Sequence, residues 1–130
     1  MTIANWCVLA ACMMPAATVG LAKLASARLP SGAGRYDNKQ PRDWAAGLTG
    51  WQARANAAQM NGFEILPLFI AAVVLAQQGH GDQGRIDTLA LGFIGLRLVY
   101  IALYLANVDA LRTLVWFAGV GVSIALLAMG

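Results

Sequence analysis

Four stretches of this chain approach the about 20 apolar residues that a helix needs to cross a hydrocarbon core of about 30 Å, and this leaves few folds open to it. The first runs from Ile3 to Leu24, interrupted by Asn5, Pro15 and Thr18, and Pro15 is expected to kink it. The second gathers its apolar weight between Phe63 and Ala76, the third runs from Thr88 to Ala106 with one charge, Arg97, and the fourth from Leu111 to Met129 with Arg112 at its start. Little of the 130-residue chain remains for anything soluble, and 59% hydrophobic against 12% charged residues excludes an ordinary water-soluble domain. The expected fold class is all-α, an integral membrane four-helix bundle with up-down antiparallel topology. It forms a single domain over residues 1–130, with helices at about 3–24, 51–77, 88–106 and 111–129. A secretory signal is the competing reading of the first stretch, since Ala25-Ser26-Ala27 has the small residues of a cleavage site. The absence of Lys or Arg before Ile3 and the length of the apolar run argue against it.

Charge placement orients the bundle. The connection after the first helix carries Lys23, Arg28, Arg35, Lys39 and Arg42 against Asp37 and Asp43, whereas the second has Arg85 against Asp82 and Asp87, and the third balances Asp109 with Arg112. Basic loops stay in the cytoplasm, so connections one and three are expected inside, with both termini on the non-cytoplasmic side. This distribution accounts for the net charge of +3 without nucleic acid as a partner. Residues 26–47 read as a polar segment broken by Pro30, Gly32, Gly34 and Pro41, and Gln77–Asp87 as a solvated loop. Cys7 and Cys12, five apart on one helix, point in different directions and read as small apolar packers. With His80 the one histidine, no metal site is expected.

Ionisable side chains within a spanning helix each need a partner or a wet cavity. Glu64 and Arg97 qualify, with Arg54 at the boundary, and Glu64 and Arg97 lie at similar depth, so an ion pair between them is expected either to fasten two helices or to line a site. Arg54, Asn61 and Glu64 follow one another by seven and three residues, which keeps them within about 80° on a helix. Arg97, Tyr100 and Tyr104 follow i, i+3, i+7 and make a second stripe running toward the end where Arg112 opens the fourth helix. Two converging stripes of this composition suit a small polar anion. A lone carboxylate at Glu64 also admits a proton-coupled transporter, but the polar residues gather at one end and not along a path between two faces.

The segment Arg54-Ala-Asn-Ala-Ala-Gln-Met-Asn61-Gly-Phe-Glu64-Ile-Leu-Pro67, with its Asn-x-x-Glu-x-x-Pro core, resembles the second helix of the membrane-associated proteins in eicosanoid and glutathione metabolism, the MAPEG family. Arg97-Leu-Val-Tyr100-Ile-Ala-Leu-Tyr104, followed by Arg112, is similar to the family's third-helix pattern. The resemblance implies a homotrimer in the lipid bilayer with glutathione as co-substrate near the cytoplasmic side and a lipophilic small molecule as the second substrate. It implies a glutathione transferase or peroxidase located, as a multi-pass protein, in a bacterial inner (plasma) membrane. Carried over by position, Arg54, Asn61, Glu64, Arg97, Tyr100 and Tyr104 would bind substrate, and Arg112 would be the catalytic arginine that stabilises the thiolate. The sequence departs from the family pattern at Ala57, where arginine is usual, at Ile65, where tyrosine is usual, and in setting Arg112 one residue farther from Tyr104. The alternative is a non-catalytic oligomeric membrane protein of the same fold whose polar stripes are structural.

Overall fold

The computed structural model describes residues 1–30 and 32–130. Four long helices, α1 (Ile3–Ser26), α3 (Gly50–Gln78), α4 (Gln83–Leu105) and α5 (Asp109–Leu127), form an antiparallel up-down bundle, and a short helix α2 (Pro41–Ala46) lies in the first connection. Each long helix is apolar enough to cross a membrane. The 29 residues of α3 give about 44 Å at 1.5 Å per residue, so its ends outreach a hydrocarbon core of about 30 Å. Helices α3 and α4 each pack on the other three spanning helices, with α1 and α5 on the flanks. Phe69 and Phe93, both buried, stack with ring centroids 3.9 Å apart at the centre of this packing.

Local chemistry sets the helix ends. The hydroxyl of Thr2 accepts from the Asn5 amide and starts α1, and the helix continues through Pro15 to Ser26. Helix α4 begins five residues earlier than the hydropathy indicates, because the Asp82 carboxylate caps it by accepting from the Arg85 amide at 2.9 Å. The expected Gln77–Asp87 loop therefore contracts to residues 79–82, closed by a Schellman motif in which His80 takes a φ of 59° and the Gly81 amide donates to Ala76 O. Asn107, with a φ of 61°, ends α4 in the same way, the Val108 amide donating to Leu103 O and the Asn107 amide to Tyr104 O. A three-residue turn then reverses the chain into α5, which starts at Asp109, two residues before the expected position.

At the end of the bundle holding the α3–α4 turn, the N-terminus of α1 is fastened to α4. The Ala4 amide donates to Asp87 Oδ1 at 2.8 Å, the same oxygen accepts from Gln83 Nε2, and Gln77 Nε2 donates to Thr2 Oγ1. An anion at a helix N-terminus satisfies orphan amides and complements the macrodipole. Asp87→Ala is expected to cost about 1–2 kcal/mol, seen as a lower Tm in detergent, with Asp87→Asn intermediate because it keeps an acceptor and loses the charge.

The connection at the opposite, basic end is held by specific contacts. The Tyr36 amide donates to Ser26 Oγ, Lys23 Nζ sits 4.4 Å from the Tyr36 ring centroid, and Trp44 meets Tyr36 edge to face while its indole donates to Gly34 O. Pro41 starts α2 in the polar segment where no helix is expected from the sequence. Gln52 Nε2 donates to Ala22 O and ties the start of α3 to the last turns of α1.

Candidate functional site

Polar side chains of α3, α4 and α5 meet between the middle of the bundle and its basic end. Arg97, 4% exposed, donates from Nη1 to Asn61 Oδ1 at 3.0 Å. Its guanidinium carbon lies 4.2 Å from the Tyr100 ring centroid, Tyr100 meets Tyr104 edge to face at 5.7 Å, and Arg112 Cζ lies 4.0 Å from the Tyr104 centroid. Guanidinium, ring, ring and guanidinium thus follow one another down one side of α4 and across the turn to α5. Each cation over a ring face gains about 0.5–2 kcal/mol, more where water is excluded, and the rings hold both planar cations in place. The Schellman turn at Asn107 reverses the chain, and Arg112 of α5 comes to lie over Tyr104 of α4.

Arg54 belongs to the same end. Its Nε donates to Leu105 O at 3.2 Å, placing a cation at the carbonyl terminus of α4, where the helix macrodipole favours it. The structure therefore brings together Arg54, Asn61, Arg97, Tyr100, Tyr104 and Arg112.

Glu64 departs from expectation. It forms no ion pair with Arg97, whose Nη1 is taken by Asn61, and it lies exposed on the outer surface of α3, with Phe63 and Met60 also exposed nearby. Equal depth does not make a pair, because rotation about the helix axis also matters. Asn61, one turn earlier and about 60° away around the axis, faces Arg97 in place of Glu64. Ile65, the residue after Glu64, is buried in the core with Cys7 and Ala11 of α1.

Gly62 is the residue that sequence reasoning missed. A Cβ there would lie 2.9 Å from Pro15 Cγ and 3.9 Å from Arg97 Nη2, so its lack of a side chain is what lets α1 approach α3 beside Arg97. The signal was a glycine inside a helix, directly after the asparagine of the motif, opposite a proline in the first span. Cys7 and Cys12 are free thiols, and among the described residues no group of three His, Cys, Asp or Glu side chains is placed to hold a metal ion.

Comparison with known proteins gives one result. No curated protein and no solved structure matches the chain. The family model described as MAPEG family matches residues 3–130, essentially the whole chain and all four spanning helices. This chain belongs to the MAPEG family.

Proposed function

We propose that the protein is a membrane-bound glutathione transferase or peroxidase that acts on lipophilic electrophiles, assembled as a homotrimer in a bacterial inner membrane with its site toward the cytoplasm. The observation that carries the reading is the run of Asn61, Arg97, Tyr100, Tyr104 and Arg112 ending at the basic end of the bundle. The donor set fits the ligand in kind: glutathione carries two carboxylates, an ammonium and a thiol, against which the chain sets three guanidinium groups, an amide, two phenols and the carboxylate of Glu64. Arg54, Asn61, Glu64, Arg97, Tyr100 and Tyr104 would hold the peptide, and Arg112 would lie at the sulfur. Bound glutathione would supply the nucleophilic sulfur. A guanidinium beside it favours the anion over the thiol, and the Tyr104 ring orients that guanidinium.

The exposed Glu64 supports assembly. A carboxylate at the middle of a spanning helix, with about 21 Å of helix on either side, is too costly to leave in hydrocarbon. A neighbouring protomer would cover it, and a cleft between protomers would be wet on the side of Glu64 and open to lipid on the other. Orientation follows from the five basic residues of the first connection.

The test is binding and turnover together. Purified protein in lipid is expected to bind glutathione saturably and to conjugate an apolar electrophile, with both collapsing in Glu64→Ala and with binding weakened and turnover at neutral pH lowered in Arg112→Ala. Binding that survives intact in both variants removes the site assignment. A second reading, a non-catalytic oligomer, draws on two arginines that already serve the fold: Arg97 holds Asn61, and Arg54 holds the end of α4. It requires Glu64→Gln or Arg97→Ala to break the assembly in detergent, with no thiol ligand bound at any concentration.

A further inference from the structure

Arg97 has a second face that the candidate site does not use. While Nη1 is held by Asn61, Nη2 is buried without a hydrogen-bond partner. It opens on a crevice between α1, α3 and α4 whose walls include Ala11, Pro15 and Thr18 of α1, Gly62 of α3 and Phe93 of α4. Most of that wall is apolar, so the polar atoms that do reach it carry the information.

Two of them are acceptors created by the sequence of α1. Pro15 has no N–H, so the carbonyl of Ala11 loses the donor that an ordinary helix would supply four residues on. One turn later the Thr18 hydroxyl donates to Met14 O at 2.8 Å, which uses its proton and leaves its lone pairs. Across from them stand Arg97 Nη2, a donor, and Gly62, the only residue type that keeps the space open against the Pro15 ring.

We propose that this crevice binds a single water molecule that joins Arg97 Nη2 to the proline break of α1. Size and chemistry both select that occupant. The space open to the centre of a water-sized sphere is about 10 Å³, at the lower bound of the about 10–15 Å³ that one water requires, and too small for a carboxylate or phosphate. An anion would match Arg97 but would face the Ala11 carbonyl and the Thr18 lone pairs. A water can accept from the guanidinium and donate to one or the other of these acceptors, and two bonds lie within the range of a buried water. Helix α1 brings no side chain to the candidate site, yet through this water Pro15 becomes a positioning residue for Arg97. The inference does not depend on whether the protein binds a thiol.

Solid-state NMR on the full chain in lipid bilayers, with ¹⁵N-labelled arginine and magnetisation transferred from water, tests it directly. The Arg97 resonance is the one lost in Arg97→Lys. In the wild type it is expected to receive magnetisation from water. The transfer is lost in Gly62→Ala, whose methyl enters the crevice, and weakened in Pro15→Ala, which restores a donor to Ala11 O, and in Thr18→Val. Absence of transfer in the wild type overturns the proposal. So does transfer that is unchanged in all three variants, since Arg97 would then be meeting bulk water, and so does a signal that titrates with chloride. If Gly62→Ala does not fold, the near-isosteric Thr18→Val decides between a held water and bulk access.

Discussion

Replacing Arg112 with alanine is expected to lower the rate of thiol conjugation at pH 7 by roughly 10-fold to 30-fold, and the defect is expected to shrink as the pH rises. The bound comes from the thiol itself: with an ordinary pKa of about 8.5, only about 3% of it is ionised at pH 7, so complete ionisation by the protein gains at most about 30-fold in thiolate. Above about pH 8.5 the free thiol ionises unaided and the arginine has little left to contribute. A loss that is equally large at pH 7 and pH 9 would assign Arg112 to holding the peptide or the fold, not to the sulfur. The ultraviolet absorbance of the bound thiolate checks the same point without turnover. Arg112→Lys keeps the charge but not the plane that lies 4.0 Å from the Tyr104 centroid, so it is expected to recover part of the thiolate signal and a matching part of the rate.

Phe69→Ala is expected to be the most destabilising single change in the core. The ring is fully buried and stacks on Phe93, and its removal opens a cavity in the core cluster that all four spanning helices share. In water such a change costs about 3–5 kcal/mol, part of it the lost transfer of apolar surface. Lipid is as apolar as the core, so that part disappears in a membrane, and the remaining loss of dispersion contacts sets an expected cost of about 2–3 kcal/mol. Unfolding in bilayer-mimetic detergent should show this drop. Phe93→Ala alone is expected to cost about as much, and the double variant less than the sum, because the two rings stabilise each other.

The four spans were legible in the sequence because the thickness of the bilayer fixes how much apolar length a helix must have. The polar stripes were legible for the converse reason, since Arg97, Glu64 and Asn61 are costly in lipid and cannot stand there by accident. What the spacing could not supply was rotation about the helix axis. It placed Glu64 and Arg97 at similar depth but did not say which residue of α3 turned toward α4, and Asn61 took the contact. The start of α4 was misplaced because hydropathy ignores polar first turns, although Asp82 three residues before Arg85 was a capping signal in plain view. Short helix α2 lay beyond reach for a different reason: six residues held by the Tyr36 and Trp44 contacts have no periodicity of their own to read.

The hydrogen bond from the Ala4 amide to Asp87 joins residues 83 apart in the chain. A ribosome adding about 5–20 residues per second needs roughly 4–17 s to make that stretch, so the bond from the start of α1 to α4 forms only once the third span is under way. The start of α1 is therefore clasped from behind: Gln77 of α3 reaches Thr2 first, and Asp87 of α4 completes the hold before α5 is made.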